Sequence, residues 1–165
     1  EGFDLSIRVA ELPDSSLVAR RLAPCRHVIV AAPEYLARHG TPRTPEELRD
    51  HNIITFSHQA SLDSWHFVGP DQRPLSVAVT GSLQANNSLA LREALLAGAG
   101  IMRTPTFVVG ADIQAGRLVP LLGKYQALEI SIFLVYPQRR HLLPKVRAFI
   151  DFVAEKVTAT PYWDC

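Results

Sequence analysis

The residues best placed to do chemistry in this sequence are Arg103 and Thr104, in GIMRTP (Gly100 to Pro105), just after the apolar run ALREALLAGAGI (Ala90 to Ile101). A guanidinium in a short, partly buried segment needs an anionic partner, because an unpaired buried charge is costly. Its fork of donors suits a ligand carboxylate or phosphate; the alternatives are an acidic side chain or exposure at a strand end. Asn86, Asn87 and Ser88 stand where a helix begins, so free backbone N–H groups there could take an anion, with plain capping as the alternative. Ser57 and His58 end one expected strand and Arg8 ends another. Ligands of open α/β sheets sit beyond the carboxyl ends of strands, and exposure or structural pairing is the alternative for all three. Cys25 and His27 share a strand face at spacing two, but two ligands are too few for zinc, and Cys25 reads as packing. The chain has no G-x-S-x-G elbow, H-E-x-x-H helix or phosphate-cradling glycine loop. These residues therefore point to binding rather than turnover, with no catalytic residue, metal or cofactor expected.

Strands alternating with helices must position them, which implies an α/β fold with a mostly parallel sheet. Phe3, Leu5, Ile7 and Val9 alternate with polar neighbours as a strand, followed by a turn at Pro13 and Asp14. HVIVAA, within Arg26 to Ala32, is a second strand; Pro33 then opens the helix PEYLARH, which Gly40 ends. Thr44, Pro45 and Glu47 form a capping box for another short helix. Asn52 to Ser57 and Leu75 to Gln84 read as strands, with a polar loop around Trp65, Gly69 and Pro70 between them. A helix from about Leu89 to Ala97, apolar except at Arg92 and Glu93, implies burial between neighbours. Ile101 to Thr104 is a short strand, Pro105 starts a helix that Gly116 stops, and Leu118 to Leu122 suits a sheet edge.

The last third alternates through EISIFLVYP (Glu129 to Pro137), passes a basic knot, QRRHLLP (Gln138 to Pro144), and enters the helix KVRAFIDFVAEKV (Lys145 to Val157). Val146, Phe149, Ile150, Val153 and Val157 share one face of that helix.

Bulk properties limit the function classes. The 165 residues are 47% hydrophobic and 20% charged, which is globular and large enough for a core. A net charge of +1 makes the chain alone a poor candidate for gripping nucleic acid phosphates. No apolar run approaches the roughly 20 residues that span a bilayer, so no membrane partner is expected. Two distant cysteines, Cys25 and Cys165, give no disulfide framework and fit a reducing cytoplasm.

In their order, FDLSIR (Phe3 to Arg8), RRLAPCRHVIVAAPEYL (Arg20 to Leu36), ANNSLALREALLAGAGI (Ala85 to Ile101) and VYPQRRHLLPKVRAFIDF (Val135 to Phe152) resemble the effector-sensing half of a LysR-type transcriptional regulator. The resemblance runs from Glu1 to Val157. It implies a two-lobed fold like that of type II periplasmic binding proteins, with mixed, mostly parallel sheets and a small-molecule effector between the lobes. It also implies a cytoplasmic homodimer or higher homo-oligomer that touches DNA only through a helix-turn-helix domain absent here. Residues 19–137 correspond to the second lobe, residues 1–18 and 138–157 to a partial first lobe whose opening strand–helix–strand is missing, and residues 158–165 to a flexible tail. Where the family usually runs apolar through GIALLP, this chain has Met102, Arg103 and Thr104. Arg103 then suggests an organic acid as effector. Two rivals share the fold class. An extracytoplasmic solute-binding protein would carry a signal peptide upstream, and an α/β enzyme would need a nucleophile–base pair or cofactor loop.

Overall fold

A computed structural model describes residues 3–10, 17–57, 62–125, 130–137 and 143–157. The turn at Pro13 and Asp14, His58, most of the basic knot and the tail fall outside them. Contacts divide the chain into a terminal unit, Glu1–Arg26 with Glu129–Cys165, and a central unit, His27–Leu128.

The chain opens in the terminal unit with β1 (Ser6–Ala10) and β2 (Leu17–Cys25), and enters the central unit with β3 (His27–Ala31). Pro33 opens α1 (Pro33–His39), and Gly40 closes it at φ 85°, a conformation glycine adopts without cost. A 3-10 helix, Pro45–Asp50, follows. Its start differs from the expected capping box: the Thr44 side chain makes no cap bond, and the Glu47 carboxylate accepts from the Arg43 N–H at 2.9 Å. The strand β4 (Ile53–Phe56) comes next.

The stretch expected to be a polar loop is instead half of a hairpin, β5 (Ser64–Val68) with β6 (Pro74–Ala78). Period-two burial explains it. Trp65 and Phe67 face inward with Val77, while His66 faces water. The single strand expected over Leu75 to Gln84 breaks at Gly81, and β7 (Leu83–Ala85) starts beyond it. A Cβ on Gly81 would lie 1.6 Å from the Ile53 carbonyl oxygen, so only glycine allows the chain to pass there.

Helix α2 (Ser88–Leu96) leads into β8 (Ile101–Pro105), and α3 (Thr106–Gln114) leads to β9 (Val119–Leu121) at the sheet edge. Pro105 is the last residue of β8 and the N-cap of α3. The central sheet has the order β7-β4-β8-β3-β9. Alternation along its strands feeds two cores. Ile29, Ile53 and Ile101 pack on one face with Tyr35, Leu48 and the hairpin's Trp65 and Phe67. Val30, Ile54 and Met102 pack on the other with Leu91 and Leu95 of α2 and Val109 of α3. Only that stripe of α2 is buried; Leu89 and Ala90 face water, against the expectation of burial all round.

The chain returns to the terminal unit with β10 (Ile130–Pro137) and α4 (Pro144–Lys156). β10 pairs antiparallel with β1 on one side and β2 on the other, with a bulge at Ile132 and Phe133. The lobe boundaries drawn at 18/19 and 137/138 therefore differ from the contact boundaries at 26/27 and 128/129, because β2 and β10 join the sheet of β1. Leu134, Val146 and Ile150 form the small core under α4, and Phe149, expected on that face, is exposed. Among the described strands only β4–β7 and β4–β8 pair in parallel; the remaining pairings are antiparallel, so parallel pairing is scarcer than expected. Parallel neighbours need a long crossover, which α2 supplies, whereas the hairpin and the pairing of chain ends favour the antiparallel form.

Candidate functional site

Because β4, β7 and β8 run in one direction, their carboxyl ends meet at one edge of the central sheet. Ser57 lies there, its N–H donating to the Ala85 carbonyl at 2.9 Å. Asn86, Asn87 and Ser88 follow β7 at the same edge and start α2. Asn87 is a true cap: its Oδ1 accepts from the N–H groups of Leu89 at 3.0 Å and Ala90 at 3.2 Å. Its side-chain oxygen is thus engaged, whereas Asn86 is exposed and Ser88 half-buried. The start of α3, just past Thr104 and Pro105, lies at the same edge, so two helix N-termini direct their positive dipole ends toward it.

Thr104 is the least expected member. It is 0% exposed, and its Oγ1 has no hydrogen-bond partner among the described residues. A buried hydroxyl left unpaired costs about 1–3 kcal/mol, so such a group in a folded protein calls for a reason. Since Met102 packs under α2 and α3, alternation puts Thr104 on that face too, below the two N-termini.

Arg103 takes the opposite face. Its guanidinium carbon lies 5.0 Å from the centroid of the Trp65 ring, a cation–π contact beneath the hairpin, and burial pushes its pKa down. Arg8 lies in the terminal unit on β1, paired in register with Phe133 and donating from Nε to Ser6 Oγ at 3.4 Å. Cys25 and His27 do not share a strand: Arg26 separates β2 from β3, and Cys25 is buried in the terminal unit. No group of three or more metal-ligating side chains occurs among the described residues.

A buried charge cluster was not visible in the sequence. The Asp112 carboxylate, on α3, is fully buried and receives Arg92 of α2 in a bidentate pair, Nε to Oδ2 at 2.6 Å and Nη2 to Oδ1 at 2.7 Å. Arg117 adds a bond from Nε to Oδ1 at 2.9 Å. Burial alone would raise the pKa of this carboxyl, but the hydrogen bonds from Arg92 and Arg117 outweigh it and hold the group below its ordinary value. The same bond raises Arg92. The cluster ties α2 to α3 and so fixes the spacing of the two N-termini. An arginine beside Glu93 on a mostly apolar helix and an aspartate 20 positions later gave no local signal of pairing.

Residues 1–158 match the family model described as the LysR substrate binding domain. The chain belongs to this family. It is 35% identical over 155 residues to the HTH-type transcriptional regulator CrgA of Neisseria meningitidis serogroup B, covering 93% of this chain and 51% of that protein. YhjC of Escherichia coli K12, an HTH-type regulator, is also 35% identical over 155 residues, covering 93% of this chain and 52% of its own. The chain thus spans about half the length of the curated relatives it matches. Among solved structures, the regulatory domain of CrgA, a LysR-type transcriptional regulator, aligns with a TM-score of 0.80 at 34% identity, over 94% of this chain and 76% of that one. Full-length AphB, a Vibrio cholerae virulence activator, aligns at 0.83 and 29% identity, over 94% and 52%. This LysR-type domain accordingly has the type II periplasmic-binding-protein-like α/β fold. No helix among the described residues is long and apolar enough to cross a membrane.

Proposed function

We propose that the chain is the effector-sensing domain of a LysR-type transcriptional regulator, and that its effector carries an anionic group bound at the edge of the central sheet. The buried, unpartnered hydroxyl of Thr104 carries this reading. It lies below the starts of α2 and α3, whose positive dipole ends favour a compact anion. Asn86, Ser88 and Ser57 are the further polar groups within that edge, and Arg103 supplies positive charge from the other face of β8. The sensor binds and performs no chemistry. Effector binding favours one arrangement of the protein through differential contacts, and the bias reaches a helix-turn-helix domain outside these residues, in a cytoplasmic homodimer or larger homo-oligomer. The two units correspond to the two lobes. Exposure of Phe3, Ile7 and Val9 on β1, and of Phe149 and Phe152 on α4, supports a terminal unit that forms only part of its lobe.

The test is thermal unfolding in sodium acetate, succinate or benzoate against sodium chloride of equal ionic strength. A carboxylate should raise the unfolding midpoint of the wild type. Thr104→Val, which removes an unsatisfied polar atom at constant volume, should be more stable than wild type without ligand by about 1 kcal/mol and lose the carboxylate response. Equal responses from Thr104→Val and wild type, or none from either, refute the anion site.

A further inference from the structure

Tyr35 of α1 is packed into the core beneath the hairpin and is only 2% exposed, so its hydroxyl must find its partners inside the protein. Among the described residues it has two. The hydroxyl oxygen accepts the Asn52 N–H at 3.0 Å, and His51 Nδ1 lies 3.2 Å away. A backbone N–H can only donate, so the phenol proton is left for His51, whose Nδ1 must then accept. The neutral ring therefore carries its own proton on Nε2.

Asn52, at the other end of this relay, fastens neighbouring segments. Its Nδ2 donates to the Ala99 carbonyl at 2.7 Å and to Ser82 Oγ at 3.1 Å, and its Oδ1 accepts the Ser82 N–H at 2.8 Å. Its carbonyl accepts the Ile101 N–H at 2.9 Å. The turn after α2, the approach to β7 and the start of β8 thus meet on one residue that Tyr35 holds by its backbone.

We infer that this chain of bonds is a proton-operated latch, closed while His51 is neutral and opened when His51 Nδ1 takes a proton from solvent. A protonated Nδ1 is a donor facing the phenol oxygen. The phenol proton, still on Tyr35, then has no acceptor in a buried site. Tyr35 and Asn52 separate to relieve that conflict, and the hold of Asn52 on Ala99 and Ser82 loosens. The surroundings keep the latch closed near neutral pH. Burial, and His39 of α1 stacked on the Tyr35 ring at 4.5 Å, oppose the imidazolium more than Asp50 and Glu47 of the 3-10 helix favour it. Neither β4 nor β6 carries an ionisable side chain, and Arg38 of α1 is turned to the Gly98 carbonyl and Glu34. The domain thereby reads acid at a place apart from the edge that Ser57 and Thr104 mark.

Ring-nitrogen NMR and amide hydrogen exchange of the whole 165-residue chain, followed from neutral pH into acid, test the latch. Exchange is read as protection factors, which remove its intrinsic pH dependence. His51 should carry its proton on Nε2 at neutral pH and take a second one below about 6.5. Protection of the Asn52, Ser82 and Ile101 amides should fall roughly tenfold with the same midpoint. His51→Gln, which keeps an acceptor and cannot take the proton, should hold that protection through acid, whereas Tyr35→Phe should lack it at every pH. Unfolding midpoints check that each variant folds; should Tyr35→Phe fail, His51→Gln alone carries the test. A proton on Nδ1 at neutral pH overturns the latch, as does a ring that stays neutral until the protein unfolds. Titration of His51 that leaves the three amides unmoved also overturns it, being the behaviour of an ordinary core histidine. An acid response that survives His51→Gln overturns it too, and its loss in His39→Gln would assign the response to that exposed ring.

Discussion

The central and terminal units are built from similar elements but finished to different degrees. The central sheet is covered on both faces, by the Trp65 hairpin on one side and by α2 and α3 on the other. In the terminal unit α4 buries Val146 and Ile150 against Leu134 of β10, while Phe3 is 83% exposed and both Ile7 and Phe149 face water. The contrast teaches where rigidity is available. A preorganised site needs a scaffold whose side chains are held from behind, and only the central unit offers that around its candidate residues.

The sharpest way to break this comparison is to cut the tie between α2 and α3. Asp112→Ala leaves Arg92 without its carboxylate in a part-buried position and should cost about 3–5 kcal/mol in urea unfolding. A loss under about 1 kcal/mol would mean that the cluster holds nothing together. Core truncations come next. Leu95→Ala in the central unit should cost about 2–5 kcal/mol, while Phe152→Ser on α4 should stay within about 0.5 kcal/mol. Similar costs for the two would erase the contrast between the units.

Arg103→Ala sharpens it further. The side chain packs on the buried Trp65 ring, so the ligand-free protein should lose about 0.5–2 kcal/mol, seen also as a change in tryptophan fluorescence. The stacking on Trp65, and not exposure at a strand end, sets this cost.

The smallest effect concerns acid. His51 is buried at the start of β4, its Nδ1 3.2 Å from the Tyr35 hydroxyl, which also accepts the Asn52 N–H at 3.0 Å. Burial and the neighbouring His39 lower its pKa from the ordinary 6.5, against weaker opposing effects of Asp50 and Glu47. The folded protein therefore resists protonating it. Its contribution to stability is complete above the unfolded-state value and is lost as pH falls from about 6.5 through the lower folded value. Unfolding midpoints followed across that range should fall for the wild type and fall less for His51→Gln. Parallel curves would exclude His51 as the cause.

Much of the fold was legible where local rules act alone. Pro33 and Gly40 bracket α1 because proline suits a first helical turn and glycine a left-handed end. Asn87 caps α2 as its position suggested, and the alternation of EISIFLVYP became β10. What escaped depended on partners distant in sequence. Trp65 looked like a loop residue because its strand is short and its partner strand lies across a turn. The glycine that splits β6 from β7 is required by the Ile53 carbonyl, which no local pattern announces. At the site, residue types picked out the sheet edge, since strand ends and caps are local features. The side of β8 that each residue takes, the Asp112 cluster and the unpaired state of Thr104 are tertiary facts. Arg103 drew attention for its charge, yet its neighbour Thr104 faces the two helix N-termini.

Backbone amide NMR of the chain titrated with benzoate tests the central claim most directly. The account predicts shifts that saturate with one dissociation constant at Ser57, Ser88, Leu89, Thr106 and Phe107, with Thr104→Val abolishing them. Saturating shifts confined to the terminal unit, or none at the edge formed by α2 and α3, would contradict it.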